Sequence, residues 1–233
     1  MSASRCPKRI WLALLLLAGL LLAACGGRPL LPSFDDPDAA DAAGAPEPSG
    51  PFRDEFIPGQ TGNWLLEQDE LGSTAVANEQ LVITVAAPNT IQYATLTDRT
   101  FDDFVLEVDA WQRGGAPESS YGVLFRVQED GQFYRFDITG NGLYMIERRA
   151  TDGTWTRLLP EWTATAAINQ GLNVANRLKI IANGSELGFY VNDILLTQLS
   201  DSTLSGGRIG LDAGSFAGNA LQVSFDNVSV TTE

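Results

Sequence analysis

The sequence predicts an all-β, antiparallel fold of two stacked layers over residues 51–233, and three observations predict it. Apolar side chains alternate with polar ones along short segments, the period of a strand with one face on a core and one in water. Turn residues recur at intervals of about 10 residues, the spacing of an antiparallel sandwich or barrel. Sustained helical periodicity is missing from this stretch; Ala164 to Asn176 reads as a loop with a helical turn.

The segments bear this out in order. In Phe104-Val105-Leu106-Glu107-Val108-Asp109-Ala110-Trp111 the even positions up to Ala110 are apolar and two of the odd ones acidic. In Gln132-Phe133-Tyr134-Arg135-Phe136-Asp137-Ile138, Tyr134, Phe136 and Ile138 share one side. Turns are expected at Glu129-Asp130-Gly131, Gly140-Asn141-Gly142, Thr151-Asp152-Gly153, Asn183-Gly184-Ser185 and Asn192-Asp193, because Gly, Asn and Asp tolerate positive φ. Near the end, Leu221, Val223 and Phe225 are apolar at odd positions, but Val228 and Val230 at even ones. That phase shift predicts a bulge at Asp226-Asn227, or a strand moving between sheets.

Composition narrows function. With no histidine in 233 residues, Ser-His-Asp and Cys-His hydrolases and His-ligated zinc or haem are excluded. A formal net charge of -14 argues against nucleic acid as a partner, since phosphate contacts need clustered Lys and Arg.

The N-terminus reads as an address. Arg5, Lys8 and Arg9 precede the uncharged apolar run Ile10 to Leu22, too short for the ~20 residues of a permanent membrane helix. Leu22-Ala23-Ala24-Cys25-Gly26 resembles the lipobox of bacterial lipoproteins. The resemblance implies cleavage before Cys25, a lipid on its thiol, and a place in the bacterial cell envelope, outside the cytoplasm. Residues 1–24 are then the signal peptide, and Cys6 leaves with them. Loss of three cations and no acid makes the remainder still more acidic, so lipid rather than charge must hold it to a membrane. Residues 25–50 hold the anchor and a tether in which five of 25 positions from Gly26 to Gly50 are proline, a composition unable to form a core. Asp35, Asp36, Asp38 and Asp41 lack the spacing of a calcium loop and read as part of this solvated tether.

Several pieces in order carry a further resemblance: Tyr121-Gly122-Val123-Leu124-Phe125-Arg126, Phe133-Tyr134-Arg135-Phe136, Gly153-Thr154-Trp155 and Trp162. Asn176-Arg177-Leu178, Phe189-Tyr190-Val191-Asn192-Asp193, Gly207-Arg208-Ile209-Gly210-Leu211 and Phe225-Asp226-Asn227-Val228 complete them. Together they resemble the concanavalin A-like lectin/glucanase superfamily, in its branch related to laminin-G-like domains and the 3-keto-disaccharide hydrolase family. The resemblance implies a jelly-roll sandwich of two curved sheets, one concave and often facing sugar.

Chemistry is less legible. Laminarinase-type members of the superfamily carry Glu-x-Asp-x-(x)-Glu, supplying two carboxyls about 5 Å apart for retaining hydrolysis. Here Glu107-Val108-Asp109-Ala110 begins that way, but Trp111 and Gln112 follow and the second glutamate is missing. Glu107 and Asp109 are the alternative catalytic pair; the favoured reading of both is a polar outward face. Strand alternation turns Glu107, Asp109 and Trp111 outward, with Arg126 and Gln128, and Arg135 and Asp137. Adjacent strands would gather Trp111, Asp109, Arg126, Arg135 and Asp137 into one sugar-binding patch, aromatic rings stacking on pyranose and charged groups taking hydroxyls. Trp64, Trp155 and Trp162 read as core or rim packing. No cofactor is expected, with calcium at Asp54, Glu55 and Asp226 (near Asn227) as the alternative. The expected function is non-catalytic binding of a glycan or another extracellular partner. A glycoside hydrolase comes second, and an adhesion or assembly subunit that meets only protein is third.

Overall fold

The computed structural model describes residues 49–216 and 220–232; the signal peptide, Cys25 and the tether up to residue 48 lie outside them. Among the described residues there are strands and turns but no helix. In chain order the strands begin with β1 (Phe52–Asp54), β2 (Trp64–Leu65), β3 (Gly72–Ala77), β4 (Gln80–Val85) and β5 (Thr90–Leu96). Next come β6 (Phe104–Gly114), β7 (Ser120–Val127), β8 (Phe133–Thr139), β9 (Leu143–Arg149), β10 (Trp155–Arg157) and β11 (Thr163–Ala164). The chain closes with β12 (Ala175–Asn183), β13 (Glu186–Val191), β14 (Ile194–Ser200), β15 (Arg208–Ser215) and β16 (Leu221–Thr231).

Two antiparallel sheets form. The first runs β14-β13-β12-β6-β16-β4-β3 with β1 added on β16; the second runs β10-β9-β8-β7-β15-β5-β2 with β11 added on β9. This is the predicted jelly-roll sandwich. Its interior is the apolar half of each alternation: Leu106, Val108, Ile180, Phe189 and Phe225 from the first sheet meet Tyr121, Phe125, Phe136, Ile146 and Leu211 from the second. Burial of these side chains is the main force joining the layers.

The turns fall where glycine, asparagine and aspartate placed them. Gly131, Gly142, Gly153 and Gly184 have positive φ, and Asn192 (φ 51°) with Asp193 (φ 64°) closes the β13–β14 hairpin. The phase shift in β16 is a bulge: its register on β6 slips between Asp226 and Ser229, and Asn227 takes φ 54°. The strand stays in one sheet and its apolar side chains return to the core beyond the slip. The segment leading to β12 has no helical turn; Thr165 N–H donates to the Gly142 carbonyl at 3.0 Å and Gly171 N–H to that of Gly140 at 3.0 Å.

Candidate functional site

The expected five-residue patch does not assemble. β6 lies between β12 and β16 in the first sheet, whereas β7 and β8 are neighbours in the second, so Asp109 and Trp111 are separated from Arg135 and Asp137 by the thickness of the sandwich. Alternation puts the β6 and β8 side chains on the expected sides, but Arg135 and Asp137 are buried rather than presented to solvent, and alternation does not specify which sheet each strand joins.

Arg126 is no surface residue at all. It is fully buried at φ 51°, beside a slip in the β7–β15 register, and Nη1 donates to the Leu204 carbonyl at 2.8 Å. Nη2 donates to the Gly184 carbonyl at 2.7 Å and the Asp102 carbonyl at 3.3 Å, so the guanidinium ties three loops over one end of the sandwich. On the outer face of the first sheet, Asp109 accepts two bonds from Arg177 (2.8 and 2.9 Å) and one from Asn227 (3.0 Å). Glu107 pairs with Lys179 at 2.6 Å, and the Arg113 guanidinium covers the Trp111 ring at 5.0 Å. Both alternative catalytic carboxyls are thus occupied by cations in an ion-paired wall.

Two of the three calcium candidates have other partners. Asp54 accepts from the N–H groups of Phe56 (2.7 Å), Gly62 (2.8 Å) and the Trp64 indole (2.8 Å), pinning the loop between β1 and β2. Glu55 turns back to Arg53 at 2.8 Å. Among the described residues no cluster of three or more acidic or thiol side chains is arranged to hold a metal.

A concave site does exist on the outer face of the second sheet. Ile91, Arg135, Glu147, Trp155, Arg157, Trp162 and Phe216 line a groove of about 470 Å³. Trp155 and Phe216 are 37% and 47% exposed, high for large apolar groups, and Phe216 meets Trp162 edge-on with centroids 6.1 Å apart. Of the three tryptophans expected to pack as core or rim, Trp64 lies in the core, while Trp155 and Trp162 pack at the edge of the second sheet, where they line this groove. Trp155 leans on the edge of Phe133 (5.6 Å), and the Arg135 guanidinium sits 5.9 Å from its ring.

Beneath the groove lies a charged centre made by register. Gly122 of β7 pairs with Asp137 of β8 on one side and Asp212 of β15 on the other. With no side chain on the middle strand, the two carboxyls meet above it. A Cβ on Gly122 would come 2.6 Å from Asp137 Oδ1 and 2.0 Å from the Phe136 carbonyl, so the position admits glycine alone. Arg135 clamps the pair: Nε donates to Asp212 Oδ2 at 2.7 Å, Nη2 donates to Ser120 Oγ at 3.1 Å, and Nη2 also contacts Asp137 Oδ2. Gly214 leaves the room for this head; a Cβ there would lie 3.0 Å from Nη2. Burial pushes the Asp137 carboxyl well above its ordinary value and raises that of Asp212; the Arg135 charge pulls both down without winning. Burial also works against the charge on Arg135, but attraction to Asp137 and Asp212 outweighs it and its pKa is raised.

Asp212 and Glu147 were not singled out by sequence. The available signal was the small-residue alternation Gly210-Leu-Asp212-Ala-Gly214 in β15 facing Ser120 and Gly122 in β7, which marks one strand face cleared for a large neighbour.

Residues 57–231 match the model of the 3-keto-alpha-glucoside-1,2-lyase-like domain, and the chain belongs to that family. No curated protein matches the sequence. Among solved structures, the carbohydrate-binding module CBM66 from Bacillus subtilis is 19% identical, with a TM-score of 0.60 over 73% of this chain and 96% of its own. A beta-glucanase from Bacillus licheniformis is 12% identical, with a TM-score of 0.57 over 79% of this chain and 99% of its own. The catalytic domain of an endo-1,3-beta-glucanase (laminarinase) from Thermotoga petrophila is also 12% identical, with a TM-score of 0.54 over 77% and 95% of the two chains. These likenesses show the fold, a concanavalin A-like jelly-roll β-sandwich.

Proposed function

We propose that this protein is a lipid-anchored component of the bacterial cell surface whose sandwich binds carbohydrate, without turnover, in the groove on the second sheet. The observation that carries the reading is the pairing of aromatic walls, exposed Trp155 and Phe216 with half-buried Trp162, and the polar floor of Arg135, Glu147 and Arg157. A pyranose has an apolar face for such rings and a rim of hydroxyls for such a floor. The lipobox-like Leu22-Ala23-Ala24-Cys25 and the proline-rich tether support the surface placement. Binding of neutral oligosaccharides, compared between the wild type and Trp155→Ala, tests the site. Retained affinity in the variant removes the groove from consideration. For the anchor, mass analysis of Cys25 after expression in a bacterium tests the lipid; an unmodified thiol overturns it.

A catalytic reading comes second, favoured by the family and by the buried Asp137–Asp212 pair that Arg135 clamps under the groove. Turnover of 3-keto-α-glucosides that disappears in Asp137→Asn would replace the binding role with this one; absence of turnover by a folded wild type removes it.

A further inference from the structure

Two arginines in a sugar groove invite the reading that its ligand is acidic. The geometry points the other way. We infer that the groove selects uncharged saccharide, with the Glu147 carboxylate as its hydroxyl acceptor, and turns uronate-bearing glycans away; this rests on the saccharide reading above.

Recognition of a carboxylate by arginine is strong when two parallel N–H groups face it. Arg135 has none to offer in that form. Its Nε and Nη2 are committed to Asp212, Ser120 and Asp137, all buried, and only Nη1 remains toward the groove. Releasing the head to an anionic ligand would strand two buried carboxyls, a heavier loss than the ligand contact returns. Arg157, half-exposed on the edge strand β10, has its Nε 3.6 Å from Glu147 Oε1, so a carboxylate brought to it also meets that acid. Arg149, the next outward cation on β9, turns to the Gly131 carbonyl at 2.9 Å.

Glu147 occupies the middle of this row. Its pairs with Arg135 Nη1 (3.9 Å) and Arg157 Nε (3.6 Å) are both stretched beyond hydrogen-bond length, so its oxygens and Nη1 face the groove with bonding capacity open. A gap of that size takes a hydroxyl, which donates to the carboxylate while accepting from the guanidinium. A ligand carboxylate can only accept, and placed there it meets a like charge. The wider field agrees with the local chemistry, since the chain carries a formal net charge of -14.

The test is isothermal titration of the full chain with cello-, laminari- and maltohexaose, and with the same oligosaccharides oxidised to carboxylate at C6. At low salt the neutral form of whichever glucan binds should be held at least tenfold tighter than its oxidised form. Added salt should narrow that ratio, and Glu147→Gln should narrow it further by admitting the oxidised form. Oxidised probes bound as tightly as neutral ones, or more tightly with affinity lost in salt, overturn the selectivity while leaving saccharide binding in place. Failure of every probe to bind removes the saccharide reading itself and this inference with it.

Discussion

Asp137 and Asp212 face each other across Gly122, two carboxyls of adjacent-but-one strands brought together by a residue that has no side chain. The arrangement joins stability, titration and binding, since the arginine that clamps the pair also floors the groove.

The first consequence is a pH dependence with a definite sign. Both carboxyls have folded-state values raised above the ordinary 3.8, mainly by burial, so the native pair holds a proton that the unfolded chain releases. The stability this contributes is complete below about pH 4 and is lost as pH rises through the folded-state values. Asp137→Asn removes the more strongly raised of the two groups. The thermal midpoint of the wild type relative to this variant should therefore fall as the pH is raised from about 4 to about 8. A difference independent of pH contradicts the assignment.

Gly122→Ala should cost more than an ordinary overpacked methyl. Its Cβ would lie 2.0 Å from the Phe136 carbonyl and 2.8 Å from the Asp137 backbone, neither of which is a flexible group. A loss of about 3 kcal/mol in denaturant unfolding is expected, at the upper end for overpacking. An effect below about 1 kcal/mol would show that β7 and β8 are not in this register.

Arg126→Met separates structure from binding. It strips the buried Leu204 carbonyl, and the Gly184 carbonyl at the β12–β13 turn, of their donor, for a cost of about 2 kcal/mol in chemical denaturation. Saccharide affinity of the folded fraction should be unchanged, because the residue ties the end of the sandwich and does not line the groove. Selective loss of binding without loss of stability would return Arg126 to the site.

Trp155→Ala and Trp111→Ala discriminate between the two outer faces. A stacking ring contributes about 1.4 kcal/mol, roughly tenfold in affinity. That loss is expected for Trp155 alone, measured by titration calorimetry.

Much of this architecture was legible in residues. Period-two alternation located the long strands, Gly, Asn and Asp located the hairpins, and the phase shift at Asp226-Asn227 located a bulge. Pairing partners were not legible, because in a jelly roll β6 and β7 are consecutive in sequence but enter opposite sheets. Alternation reports inside against outside for each strand and is silent on which layer the strand joins. Arg126 defeats the rule differently: its positive φ breaks the alternation at the end of β7 and turns an expected surface charge into a buried one. Asp212 was missed because its role depends on Asp137, 75 positions earlier, and on the glycine between them in space.

The four tryptophans of the folded part report on the central claim directly, for Trp64 is in the core, Trp111 is on the first sheet, and Trp155 and Trp162 are in the groove. Indole N–H resonances followed by NMR while a bound neutral oligosaccharide is titrated should move for Trp155 and Trp162 and stay fixed for Trp64 and Trp111. Movement of Trp111 with Trp155 and Trp162 fixed would contradict the account.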